Sequence, residues 1–295
     1  MTTLMYSSSM AKPGTAVAKN WDAHDQAHNT ASVKSMADTY DDNCYISYYD
    51  VANQKRTEFT GVEGKNAFAL EHLDSLKMNN GDPTTNIHVT HFFYGNTLFN
   101  QWNIRSDSFS YKDGADYFIF GDNGLITHHY QWYFGTKLVK SFASTKDPEE
   151  ESLSSDVATS TVAPAGRSSC FGAHHHFVGI SDIEGILNTF TDDVFISFFN
   201  ITTNSVQQFK GQKEARFFYN AFLKLMATIP DGDFAEEDNQ ATNGSEPKDT
   251  LSFSWKAPKA GIKKANDMFL FGEENKISEL WMCYECPELV VLPGI

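Results

Sequence analysis

The chain predicts an α+β fold built as two tandem units, and three observations carry that expectation. Residues recur at a fixed spacing, helical periodicity precedes strand alternation within each copy, and a polar stretch separates the copies.

The recurrence is direct. Ala23-His24 returns as Ala173-His174, Asp42 as Asp192, Ile46-Ser47 as Ile196-Ser197, Phe59 as Phe209, Gly61 as Gly211, Phe68 as Phe218 and Leu73 as Leu223, always 150 positions later. Further on, Trp102 matches Trp255 at a spacing of 153, and Asp116, Phe118, Phe120, Gly121, Ile126 and Tyr133 match Asp267, Phe269, Phe271, Gly272, Ile277 and Tyr284 at 151. Small length changes therefore fall between the matched blocks, where loops accept them. The organisation read from this is a disordered N-terminus over 1–15, a first domain over 16–140, a flexible acidic Ser/Thr-rich linker over 141–169 and a second domain over 170–290. A polar run at 231–249, set against 79–85 of the first copy, reads as an enlarged, acidic, mobile loop.

Each copy opens with helices. Residues 16–28 form the first, and 30–40 a second carrying Val33, Met36, Ala37 and Tyr40 at helical spacing. In the second copy Ser181-Asp182-Ile183-Glu184 has the form of a capping box ahead of Ile186, Leu187 and Phe190. A strand follows at 45–49 and 195–199, with a return strand ending at Phe59 and Phe209, and a third helix bears Phe68 and Leu73 or Phe218 and Leu223. Strands at 87–94, 98–106, 116–120 and 125–134 complete a curled antiparallel sheet, the last two joined by the turn Gly121-Asp122-Asn123-Gly124.

Composition excludes several function classes. The 295 residues suffice for two cores, and 41% hydrophobic content with 24 Phe and 12 Tyr supplies the apolar surface. A formal charge of −15 without any basic run argues against nucleic acid and against anionic membranes. Residues 1–20 read neither as a secretory signal nor as a membrane span, so a cytoplasmic address is the default. An organelle is the alternative, because 2–18 is Ser-rich and acid-poor. Four cysteines are too few for a disulfide framework.

The order of elements is joined by three motifs: an aromatic before paired acids (Tyr40-Asp41-Asp42; Phe190-Thr191-Asp192-Asp193), a glycine ahead of the third helix (Gly61, Gly211), and an Asp-X-Phe-X-Phe strand entering a turn (from Asp116 and from Asp267). Together they resemble the nuclear-transport-factor-two-like superfamily, the SnoaL-like and ketosteroid-isomerase-like cone folds. The resemblance covers nearly all of both copies. It implies two cone-shaped units, each a curved antiparallel sheet wrapped around about three N-terminal helices, packed by their sheet faces as an intramolecular pseudo-dimer, with further homo-oligomers left open. It specifies fold and leaves function wide, since the family holds isomerases, cyclases, dehydratases and non-catalytic modules.

In such a cone the pocket lies between sheet and helices. Asp116 and Asp267 fall where ketosteroid-isomerase-like proteins keep a pocket aspartate, and alternation sets Phe118 and Phe120 on the same face. His24 and His174 stand where that pattern has a tyrosine, so a dyad is expected in which Asp116 orients His24 as the base. On the last strand His129, Gln131 and Tyr133 point inward, with His129 as a proton relay, whereas the second copy has Leu280, Met282 and Tyr284 there. Chemistry is therefore expected in the first copy, and a binding or structural role in the second. The first-strand base that the resemblance implies is replaced by Tyr48 and Phe198, or displaced to Asp50 and Asn200, so ketosteroid isomerisation itself is not expected. Tyr48, Trp102, Gln131 and Tyr133, with His174, Trp255, Asp267 and Tyr284 in the second copy, complete the expected ligand-binding set.

No cofactor and no metal site are expected. His174-His175-His176 diverge by about 100° per residue on a helix and cannot converge on one ion. Adjacent His128 and His129 fail similarly on a strand, and Cys283-Tyr284-Glu285-Cys286 lacks a second half-site. The functional expectation is a small apolar or carbonyl-bearing ligand, handled by cofactor-free acid–base chemistry of the isomerase, cyclase or dehydratase type. One alternative is a non-catalytic scaffold whose outer sheet faces (His128, Tyr130, Trp132) bind a partner. A minor one is metal-independent carbonic anhydrase activity, faintly echoed by Thr127-His128-His129.

Overall fold

In the computed structural model, which describes residues 5–8, 15–51, 53–77, 86–105, 111–135, 167–242 and 249–289, the first copy begins at a polar cap. Thr15 accepts from the Ala18 amide at 3.1 Å and starts α1 (Ala16–Thr30), which ends on Ala31 in the left-handed region. Ser32 caps the short α2 (Val33–Ala37). The expected long second helix stops there, because Tyr40 already opens the strand β2 (Tyr40–Asp50). Strand β3 (Lys55–Thr60) returns antiparallel to β2 and passes into α3 (Gly61–Lys77) through Gly61 at φ +68°. Gly211 repeats that turn at φ +72°, a conformation L side chains avoid, which is why both copies keep glycine there. Four strands close the unit: β4 (Asn86–Tyr94), β5 (Thr97–Arg105), β6 (Tyr111–Phe120) and β7 (Ile126–Gly135).

The second unit repeats the series with α4 (Arg167–Gly179), α5 (Ile183–Asn188), β8 (Phe190–Asn200), β9 (Ser205–Lys210), α6 (Gly211–Met226), β10 (Ala235–Thr242), β11 (Asp249–Ala257), β12 (Ile262–Phe271) and β13 (Ile277–Glu285). Six strands of each sheet are ordered alike, β4-β5-β6-β7-β2-β3 and β10-β11-β12-β13-β8-β9, with one parallel pairing in each six (β7 on β2, β13 on β8). This is the expected α+β class in two tandem cone-like units.

Four further expectations change. The N-terminus is not wholly without structure: β1 (Met5–Ser8) pairs parallel to β4 and extends the first sheet to seven strands. The run 231–249 is not simply a loop, since it contributes β10, the counterpart of β4, with 243–248 outside the described residues. Its polar sequence hid it because an outermost strand carries charge where a central one carries apolar side chains. The cap of α5 is Asp182, whose side chain accepts from Gly185 N at 3.0 Å, while Ser181 sits at φ +57° and cannot form the expected box. Helix α4 starts at Arg167, inside the span read as linker, and the rest of that linker up to 166 lies outside the described residues.

Alternation gives each sheet two faces. The concave faces meet the helices. The convex faces meet each other, burying Phe92, Phe99, Tyr117, Tyr130 and Trp132 of the first unit against Phe199, Met268, Leu270, Trp281 and Cys283 of the second. Trp132 stacks on Phe199 at 4.4 Å and donates from Nε1 to Ser197 Oγ at 3.2 Å. Lys264 Nζ reaches Thr97 Oγ1 at 2.7 Å, and Tyr94 and Ser252 share a hydroxyl hydrogen bond.

Candidate functional site

Strand register sets the site. Reading straight across the first sheet at Asp116, the residues opposite one another are His91, Asn100, Asp116, Gln131 and Tyr48, on β4, β5, β6, β7 and β2. They share the concave face, so the sheet presents an unbroken polar row to the helices. The matching row of the second unit runs Asn239, Phe253, Asp267, Met282, Phe198. Only the aspartate is common to both.

In the first row Asp116 is the hub. Its Oδ2 accepts from Asn100 Nδ2 at 3.1 Å, its Oδ1 lies 3.1 Å from His129 Nε2, and Trp102 and Gln131 also hydrogen-bond to it. The Trp102 indole reaches this position because Gly114 lies opposite it, and a Cβ there would collide with the ring. Burial lifts the Asp116 carboxyl to about 7, its donors opposing that shift only in part. Burial pulls the His129 imidazole far below its ordinary value, and Tyr40, whose hydroxyl stands 2.9 Å from His129 Nδ1, is held protonated by burial and by the nearby Asp116 charge. Tyr40, His129 and Asp116 thus form one chain with two hydrogen-bond directions. With Asp116 ionised, Tyr40 donates to Nδ1 and Nε2–H donates to the carboxylate. With Asp116 protonated, both bonds reverse and the imidazole changes tautomer.

Helix α1 supplies the opposite wall. His24 and His28, four residues apart, face inward with Trp21, and His72 of α3 meets His28 at a 5.0 Å ring separation. Thr39 donates to Met36 O at 2.6 Å, so its oxygen accepts from His24 Nδ1 at 2.9 Å. That fixes the proton on Nδ1 and leaves Nε2 as an acceptor, without a hydrogen-bond partner among the described residues. The expected pairing of His24 with Asp116 is therefore corrected: Asp116 bonds His129 and His24 bonds Thr39. The error arose because cross-strand register, absent from single-strand alternation, brings His129 diagonally beside Asp116.

The second unit keeps the same skeleton and closes it. Thr189 holds His174 Nδ1 at 2.8 Å, but Tyr219 donates to Nε2 at 3.0 Å, so both nitrogens are occupied. Asp267, also lifted to about 7 by burial, accepts from Trp255 Nε1 at 2.9 Å and Tyr284 OH at 2.7 Å. Tyr219 stands at the position of Ala69. Around it an apolar cluster runs through Phe190, Phe198, Phe222, Phe253, Trp255, Met282 and Tyr284, past the aspartate row. The corresponding cluster of the first unit ends at the row of Phe93, Leu98 and Phe118.

No family model matches the chain, and no curated relative aligns with it. Solved structures do match over one half. A steroid delta-isomerase from Pseudomonas aeruginosa aligns at 16% identity over 42% of this chain and 82% of its own, with a TM-score of 0.32. The epoxide hydrolase/cyclase-like enzyme SalBIII, of pyran ring formation in salinomycin, aligns at 17% over 40% and 89%, TM-score 0.30. A SnoaL-like protein of unknown function from Burkholderia thailandensis aligns at 13% over 40% and 94%, TM-score 0.30. No residue role is carried over at these identities.

Within the first cone, Tyr48, the last member of the polar row, pairs with Tyr133 at a 4.7 Å ring separation. Asp50 and Asn200 serve turns, Asp50 accepting from Asn53 N and Asn200 Oδ1 from Thr202 N at 2.9 Å, while Asn200 Nδ2 donates to Pro287 O at 3.1 Å. His174, Trp255, Asp267 and Tyr284, expected as a ligand set, bond one another and Tyr219. Tyr130 and Trp132, expected as a docking face, are buried against the second unit. Thr127 Oγ1 donates to Ile119 O and His128 points to the convex side, so a His/Ser run does not face the cone. Cys283 and Cys286 are buried free thiols, and no group of metal-ligating side chains occurs among the described residues. Among the described residues, too, no helix is long and apolar enough to cross a membrane. Sequence reasoning missed Asn100, Tyr40, Thr39, Thr189, His72 and the Ala69/Tyr219 exchange.

Proposed function

We propose that the first cone handles a small molecule by cofactor-free acid–base chemistry, with Asp116 as the group that takes and returns the proton. The second cone is then its filled structural partner in an intramolecular pseudo-dimer of two domains, about 16–140 and 167–290, in a soluble cytoplasmic protein. The observation that carries this reading is the contrast between the two aspartate rows. The same scaffold position is surrounded by His129, Asn100 and Gln131 in one unit and by Leu280, Phe253 and Met282 in the other.

A buried carboxyl near pH 7 is matched to proton transfer at neutral pH in either direction. Asp116 removes a proton from the ligand, His129 and Tyr40 shift their hydrogen bonds to hold the neutral acid, and the same proton returns to a different ligand atom. Nothing is consumed, so the net reaction is an isomerisation, or a dehydration or cyclisation if a hydroxyl leaves or closes. His24 Nε2 faces this space as a second acceptor and positions the ligand. A scaffolding role through the outer sheet faces is disfavoured, because those faces cover each other.

The test is native mass spectrometry of the full chain purified from its own source, beside Ala69→Tyr. The variant imports the Tyr219 plug, whose hydroxyl would occupy His24 Nε2. Wild type should retain a bound small molecule and the variant should lose it while staying folded. Retention by both forms, or by neither, would contradict the reading.

A further inference from the structure

We infer that the ligand of the first cone is a hydrogen-bond donor, presenting a neutral hydroxyl or N–H from a flat apolar body to the Asp116 row; this rests on the first cone being the ligand site. The argument is an inventory of what the buried polar groups have left to offer.

The amide donors of the row and the Nδ1–H of His24 are committed. Asn100 gives Nδ2 to Asp116 Oδ2 at 3.1 Å, Gln131 gives its amide N–H to the same carboxyl, and His24 gives Nδ1–H to Thr39. The amide orientations are fixed by chemistry, since a flip would set either carbonyl oxygen against the carboxylate. Two buried acceptors remain without a partner among the described residues, Asn100 Oδ1 and Gln131 Oε1, and His24 Nε2 is a third acceptor, because Nδ1 carries the proton. Asn100 and Gln131 are 7% and 4% exposed and their two carbonyl oxygens are sealed from bulk water. The second cone supplies the control within the same molecule. There Phe253 and Met282 replace the two amides, and the matching imidazole nitrogen receives a donor, the Tyr219 hydroxyl. The first cone has three acceptors and a methyl group, Ala69, where the second has its built-in donor.

A ligand offering only a carbonyl would add another lone pair to this set and leave all three acceptors unmatched, whereas a hydroxyl or N–H matches at least one. Trp21 packs edge-on against His91, Phe93 and Phe118 at 5.6, 6.2 and 5.2 Å, so the wall beside the row is aromatic and favours a flat apolar body. The ligand class is therefore a phenol, an enol or a secondary alcohol on a ring system, or an N–H heterocycle of that size.

Isothermal titration of the full chain with 2-naphthol and with 2-methoxynaphthalene tests this, at a pH above the Asp116 titration. The probes share the ring system and differ in the donor. The expected result is binding of 2-naphthol at least about tenfold tighter, with that ratio falling toward one in Gln131→Met and in Asn100→Leu. Equal binding of the two probes to wild type would overturn the donor inference while leaving the cone as a ligand site. Binding of neither would overturn the cone reading together with this one.

Discussion

Asp116 and Asp267 occupy the same place in the two cones, are buried alike and are lifted to the same range, yet their neighbours differ at almost every matched position. Trp102 and Trp255 bond the carboxyl in both units. Beyond that, Tyr40, His129, Asn100, Gln131 and His72 face Phe190, Leu280, Phe253, Met282 and Phe222. The aspartate–tryptophan pair is thus common framework, present whether or not the cone is filled, and a raised carboxyl alone does not mark a site. What separates the cones is whether the polar atoms at the aspartate row and its facing histidine are answered from within the chain. The second unit answers them with Tyr219 and Tyr284, and the first leaves acceptors open.

The largest break in that comparison should come from Tyr219→Ala. It removes a ring packed against Phe190, Phe218 and Phe222 and strips His174 Nε2 of its donor. Urea unfolding should show a loss of about 3–5 kcal/mol. Next is Gly114→Ala, which pushes the Trp102 indole off the strand and off Asp116. A loss of about 1–3 kcal/mol is expected, whereas Ala265→Gly, at the matched position in the second unit, should cost under about 1 kcal/mol.

Acid should unfold the chain, for a reason that can be signed. Burial lowers His24, His28, His72, His91, His129, His174 and His175 below 6.5, so the unfolded chain takes up more protons below that value and stability falls with pH there. Asp116 and Asp267 act oppositely. Their folded values near 7 exceed 3.8, so their favourable contribution is complete below 3.8 and lost as pH rises through 7. The histidines outnumber them, and urea midpoints should fall steadily from pH 7 toward pH 4. In the same titrations Asp267→Asn, which cannot ionise, should gain stability relative to wild type as pH rises from 4 to 7 and hold that gain above 7. The smallest effect should be His128→Ala, on the exposed edge of the convex face: unfolding within about 0.5 kcal/mol of wild type, and ligand retention unchanged.

Much of the fold is legible from the fixed spacing alone, because a duplicated unit must repeat its turns and core positions. Gly61/Gly211 and Phe68/Phe218 are read correctly on that basis. Alternation groups His129, Gln131 and Tyr133 on one face, and the resemblance implies that this face is the inward one. The partner of Asp116 follows from neither, because it depends on which residue of β7 lies beside β6, and that register is set by the bulge between Ile119 and Phe120. Strand β10 escapes for a different reason, since an edge strand needs no apolar alternation. The Ala69/Tyr219 exchange was within reach. The same 150-residue spacing aligns a methyl with a phenol on the inward face of the third helix, which is where a filled cone and an open one must differ.

The central claim is that only the first cone takes a ligand, and a crystal structure of the full chain purified from its own source tests it most directly. The account predicts one small molecule in the first cone, its donor against Asn100 Oδ1, Gln131 Oε1 or His24 Nε2, and Tyr219 bonded to His174 in the second. A molecule seated in the second cone, or side chains of the first unit turned inward to meet those three acceptors themselves, would contradict it.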